Sequence, residues 1–106
     1  MGKYMVVASY TAEGLRGLIS KGGTDRVAAV TQAVQSLGGK VESFYFAFGE
    51  GDAYVTVDLP DNATAAAVGL AVSSTGLVTT RTVVLLTAEE IDQATRTTVG
   101  YRKPGA

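Results

Sequence analysis

The chain contains no cysteine and no histidine. Without cysteine there is no disulfide, no thiolate metal site and no thiol nucleophile. Without histidine there is no Ser-His-Asp triad, no imidazole-held zinc and no histidine-held haem. Any general acid or base must therefore be Asp, Glu, Tyr or Lys. Charge is sparse and balanced: nine basic and ten acidic residues leave a formal net charge of −1. No basic run exists, and Arg102-Lys103 is the nearest approach to one. This balance argues against a nucleic-acid or anionic-membrane partner. No apolar run approaches the ~20 residues that cross a bilayer. The stretch Met1 to Ser9 is too short in apolar residues for a signal peptide, so a cytoplasmic location is the expectation.

What is present is a regular alternation of strand-like and helix-like segments. Lys3–Tyr10 reads as a strand rich in β-formers. A short helical turn with Leu15, Leu18 and Ile19 follows, broken at Gly22-Gly23. Thr24 is the expected cap of a longer helix to Leu37, whose Val27, Val30, Val34 and Leu37 form one apolar stripe. Val41–Phe48 is the second strand, with Phe44, Phe46 and Phe48 alternating against Val41 and Tyr45. Ala53–Leu59 is the third, with Ala53, Val55, Val57 and Leu59 on one face and Tyr54, Thr56 and Asp58 on the other. Between them, Gly49-Glu50-Gly51-Asp52 has the length and glycines of a hairpin turn that needs positive φ.

Pro60-Asp61-Asn62 opens a second helix from Ala63 to about Thr75, built mostly of small residues. Leu77–Leu86 is the fourth strand. Thr87 and Glu90 form a capping-box pattern ahead of a short helix to about Thr98. Val99–Ala106 is expected to be an extended tail. The 106 residues fit one domain, 1–106.

The order β-α-β-β-α-β plus a terminal helix predicts an α+β, ferredoxin-like fold: a four-stranded antiparallel sheet with helices on one face. The uncovered face should be polar, yet the strands carry apolar residues on both faces. A lone protomer would expose too much apolar surface. The expectation is a homodimer whose sheets meet face to face in a dimeric α+β barrel, or a higher homo-oligomer.

"FGEGDAYV" (Phe48–Val55), with "KYMVVASYT", "SLGGKVESFYFAFG", "VDLPDNATAAA" and "VLLTAEE", resembles the GYD domain family over roughly Gly2 to Tyr101. The family takes its name from a Gly-Tyr-Asp motif at this hairpin. Gly49 and Asp52 match that framework, whereas Gly51 stands where the motif tyrosine is expected, with Tyr54 as its possible stand-in. The family is similar to the dimeric α+β barrel superfamily of small monooxygenases, isomerases, haem enzymes and ligand-sensing domains. The resemblance implies that fold and an unassigned function.

The candidate ligand-binding residues are Tyr10, Tyr45, Phe46, Phe48, Asp52, Tyr54 and Arg81. The phenylalanines are pocket wall or packing, and the tyrosines are the polar groups such a pocket would need. Asp52 is either a turn residue bonding backbone amides or an anion at the lip of a pocket. Arg81 shares a strand face with Val83 and Leu85, so partial burial and a carboxylate partner, Asp58 or Glu42, are expected. Its planar fork also suits an anionic ligand. No metal site and no cofactor are implied. The reading is a self-associating domain that binds a small apolar or aromatic molecule at the sheet face or hairpin. The alternatives are a cofactor-independent monooxygenase- or isomerase-like enzyme and an assembly module.

Overall fold

The computed structural model describes all residues, Met1–Ala106. Its elements are β1 (Gly2–Tyr10), α1 (Ala12–Lys21), α2 (Gly23–Ser36), β2 (Lys40–Phe46), β3 (Ala53–Leu59), α3 (Asn62–Ser73), β4 (Val78–Leu85) and α4 (Ala88–Thr95). The strands form one antiparallel sheet in the order β2-β3-β1-β4. This is the expected split ferredoxin-like arrangement with an additional C-terminal helix. The period-2 pattern of β3 does what it should. Ala53, Val55, Val57 and Leu59 are buried beneath the helices, and Tyr54, Thr56 and Asp58 turn to the uncovered face. Tyr4, Val34 and Ala65 complete the core cluster with Val55, Val57 and Leu59. The Tyr4 hydroxyl donates to Asn62 Oδ1 at 2.6 Å, so the one buried phenol is satisfied at the start of α3.

Three local readings change. First, Leu15–Ile19 belongs to a full helix, α1, capped by the Thr11 side chain, which accepts from the Gly14 N–H. Gly22, at φ 88°, turns the chain directly from α1 into α2, so Thr24 lies inside α2 rather than capping it. A left-handed residue at this joint lets two helices follow each other with no linker.

Second, β2 carries a bulge. The register passes from Val41↔Val57 to Ser43↔Thr56, leaving Glu42 unpaired. The extra residue puts Val41 on the same side as Phe44, and both pack against the core. Strict alternation would have placed them on opposite faces.

Third, β2 ends at Phe46, and the β2–β3 connection is the six-residue loop Ala47–Asp52. Neither Gly49 nor Gly51 has positive φ. A wide loop reverses the chain without left-handed residues, so the tight-turn reason for these glycines does not hold.

On the covered face, α2 lies over β2 and α3 lies over β4 and β3. Val68 and Val72 of α3 and Val30 and Val34 of α2 flank a narrow apolar valley. The other face has no helix on it. Asp61 caps α3 by accepting from the Thr64 N–H at 2.8 Å. The Thr87–Glu90 capping box of α4 is formed in both directions. From Ala88 to the C-terminus every residue is exposed, so α4 and the tail stand off the body as an arm. The radius of gyration is accordingly 16.9 Å, against about 13 Å for a compact chain of this length.

Candidate functional site

An apolar concavity lies in the valley between α2 and α3. Its floor is the covered face of the central strands, including Val6, Ala8, Ala53 and Val55. Val30 and Val34 of α2 form one wall, and Val68 and Val72 of α3 form the other. The narrow inner space is about 50 Å³, and thirteen of its fifteen lining residues are hydrophobic. The other two are Arg26 and Thr80, and Tyr10 adds a phenol. Thr80 Oγ1 is within hydrogen-bond distance of Ser73 Oγ, at 3.2 Å.

Two further hollows adjoin this space. One, of about 180 Å³, lies between α1, the start of α2 and the end of β1. The other, of about 240 Å³, lies beside the end of α3. Arg26 and Val78 line all three. Arg26 enters the first turn of α2 and reaches under the helix, where its Nε is buried without a hydrogen-bond partner. Nothing in the sequence reading marked Arg26. The signal was available only as a charge at the i−4 position of Val30, on the helical stripe that faces the sheet.

The hairpin loop makes a second, shallower concavity. Phe46, Phe48 and Asp52 lie there with Leu15, Leu18 and Gly23 around a hollow of about 400 Å³. The Phe46 ring rests on Gly23, where a Cβ would sit 3.1 Å from it, and its centroid is 5.1 Å from that of Phe44. Phe48 is fully exposed. Asp52 is occupied structurally. Its Oδ2 accepts the Tyr10 N–H at 2.8 Å, and its own N–H donates to the Ala8 carbonyl at 2.8 Å. The carboxylate therefore pins the loop to the end of β1.

The loop folds back over the open sheet face. A Cβ on Gly51 would meet Val7 Cγ1 at 2.5 Å and the Tyr54 hydroxyl at 3.1 Å. Gly51 is thus required by close approach. The Tyr54 ring reaches the place where a side chain at position 51 would start. On this face Tyr45, Tyr54, Val7 and Arg81 fall in one cross-strand row. Val7 separates Tyr54 from Arg81, so these two polar groups are not neighbours.

Arg81 is exposed in the protomer and has no ion pair. Its expected carboxylates are taken by Lys3, whose ammonium pairs with Glu42 and, at 3.0 Å, with Asp58. The bulge explains this, because it turns Glu42 out beside Lys3. The Glu42 and Asp58 hydrogen bonds raise the Lys3 pKa above its ordinary value, and the Lys3 hydrogen bond lowers that of Asp58.

The seven candidate residues thus divide among three places. Tyr10 lines the valley. Phe46, Phe48 and Asp52 line the hairpin hollow. Tyr45, Tyr54 and Arg81 lie on the open face. The acidic side chains nowhere gather in threes. No helix is long and apolar enough to cross a membrane.

A family model described as GYD domain matches residues 4–95. No curated protein and no solved structure matches the chain.

Proposed function

The chain belongs to the GYD domain family, and from the valley it builds we propose that it acts as a homodimeric binding protein for a small, largely apolar molecule. One observation carries this reading. The space between α2, α3 and the sheet is lined almost wholly by apolar side chains; its inner part is only about 50 Å³, so a ligand would occupy it together with the adjoining hollows of about 180 and 240 Å³. Small-molecule sites have this character: concave, apolar and supplied with few polar groups. The hollows beside Arg26 extend the inner space.

The other face supports the dimer. Tyr45 is 72% exposed and Val83 42% exposed on a sheet face that no helix covers. Sheet-to-sheet packing would bury them together with half-buried Met5. It would also bring Arg81 against a second copy, where it can find the acceptor it lacks in the protomer. The exposed arm, with Ile91, Val99 and Tyr101, supplies further apolar surface for the same partner.

A neutral apolar fluorophore, N-phenyl-1-naphthylamine, tests the binding reading. It should bind saturably, one per protomer. The bulky wall substitution Val30→Phe should abolish that binding while leaving the circular dichroism unchanged. Undiminished binding in a folded Val30→Phe protein would mean that the valley is not the site.

A further inference from the structure

We propose that the ligand of the valley is a small monocarboxylate with an apolar body, and that Arg26 holds its carboxylate. This rests on the valley reading above and adds the chemical class of the ligand. Arg26 is the only charged residue among those lining the inner valley. Its Nε is buried and has no hydrogen-bond partner, and the guanidinium forms no ion pair. Asp25, the adjacent acidic residue, does not pair with it.

A buried donor left unmatched is costly, and folded proteins rarely keep one without a use. A guanidinium at the edge of an apolar cavity has one obvious complement. It is a planar anionic head that accepts two parallel N–H bonds while its hydrocarbon lies along the valley.

The surroundings favour a single negative charge over a phosphate. The hollow at the mouth carries Glu13 and Asp25 beside Lys21 and Arg26, so its charges balance. A doubly charged head would meet two carboxylates there. With the hollow already neutral, a carboxylate adds one negative charge where a phosphate dianion would add two. The Tyr10 hydroxyl, at the same end of the valley, offers a further donor.

Calorimetric titration of the protein with matched pairs tests this: octanoate against 1-octanol, and 4-propylbenzoate against 4-propylbenzyl alcohol. Amide shifts at Ala53, Val68 and Val72 report whether each ligand enters the valley. The expected result is tighter binding of each carboxylate than of its alcohol, by on the order of ten- to a hundredfold. Arg26→Gln should remove that preference and leave alcohol binding intact, and Arg26→Lys should retain part of it. If alcohols and carboxylates bind the valley equally, or Arg26→Gln keeps the preference, the carboxylate assignment is overturned while the apolar site stands. If no member of either pair shifts the valley amides, the apolar site and the carboxylate assignment both fall.

Discussion

Gly51 is a sharp test of how the hairpin is seated. In the structure a Cβ at this position lies 2.5 Å from Val7 Cγ1. An unstrained carbon–carbon contact needs about 3.5–4.0 Å, so Gly51→Ala must open the gap by at least ~1 Å. The loop cannot simply lift. The Asp52 N–H is bonded to the Ala8 carbonyl, the Ala47 N–H to the Asp52 carbonyl, and the Tyr10 N–H to the Asp52 carboxylate. Val7 is 7% exposed and β-branched, with little freedom at χ1. Overpacking of this kind costs about 1–3 kcal/mol. Loss of unfolded-state freedom on replacing glycine returns about 0.4–1 kcal/mol. The net expectation is a destabilisation of about 1–2 kcal/mol. Urea unfolding should show a lower midpoint at unchanged slope. Val7→Ala removes the offending methyl. The double mutant should therefore be more stable than the sum of the single changes predicts, with a coupling of about 1–2 kcal/mol. A Gly51→Ala protein as stable as the parent, or additivity within about 0.5 kcal/mol, would refute the close approach.

Three further outcomes follow from named contacts. Asp52→Ala should cost about 1–2 kcal/mol by leaving the Tyr10 N–H without its acceptor, whereas Asp52→Asn, which keeps an oxygen, should cost less in the same unfolding assay. Arg26→Met should raise the melting temperature of the ligand-free protein, because it removes a buried unmatched donor worth about 1–2 kcal/mol; a fall of that size would show that Arg26 supports the fold. The Lys3 pairs set a pH window. The Asp58 contribution is present above its ordinary value of 3.8 and is lost as pH falls through its lower folded value. The Lys3 contribution is present below its ordinary value of 10.5 and is lost as pH rises through its higher folded value. The stability difference between the parent and Lys3→Met should therefore be flat at neutral pH and shrink at both extremes, as read by urea unfolding across pH.

Much of the architecture was legible because it rests on periodicity. The period-2 pattern of Ala53–Leu59, the helix start at Pro60-Asp61-Asn62 and the capping box at Thr87 reappear where the sequence placed them. What was not legible depends on insertions and on space. A bulge at Glu42 leaves no mark on composition, yet it reverses which side Val41 faces and gives Lys3 the carboxylate expected for Arg81. The glycine at position 51 looked like a turn residue, but its reason is Val7, forty-four positions earlier in the chain. The valley was equally hidden. It is a volume left between α2 and α3, and no single residue type announces an unfilled space. Arg26 reads in sequence as one more helix charge, and only burial of its Nε distinguishes it. The candidates named from sequence were scattered because aromatic and polar residues on neighbouring strand positions alternate between the two faces of the sheet.

Native mass spectrometry of gently purified parent protein beside Val30→Phe reads site and assembly together. The expected result is a dimer carrying one small apolar adduct per protomer in the parent, and a dimer without it in Val30→Phe. An equal adduct on both proteins would put the ligand elsewhere, and a bare monomer in the parent would contradict both the site and the assembly.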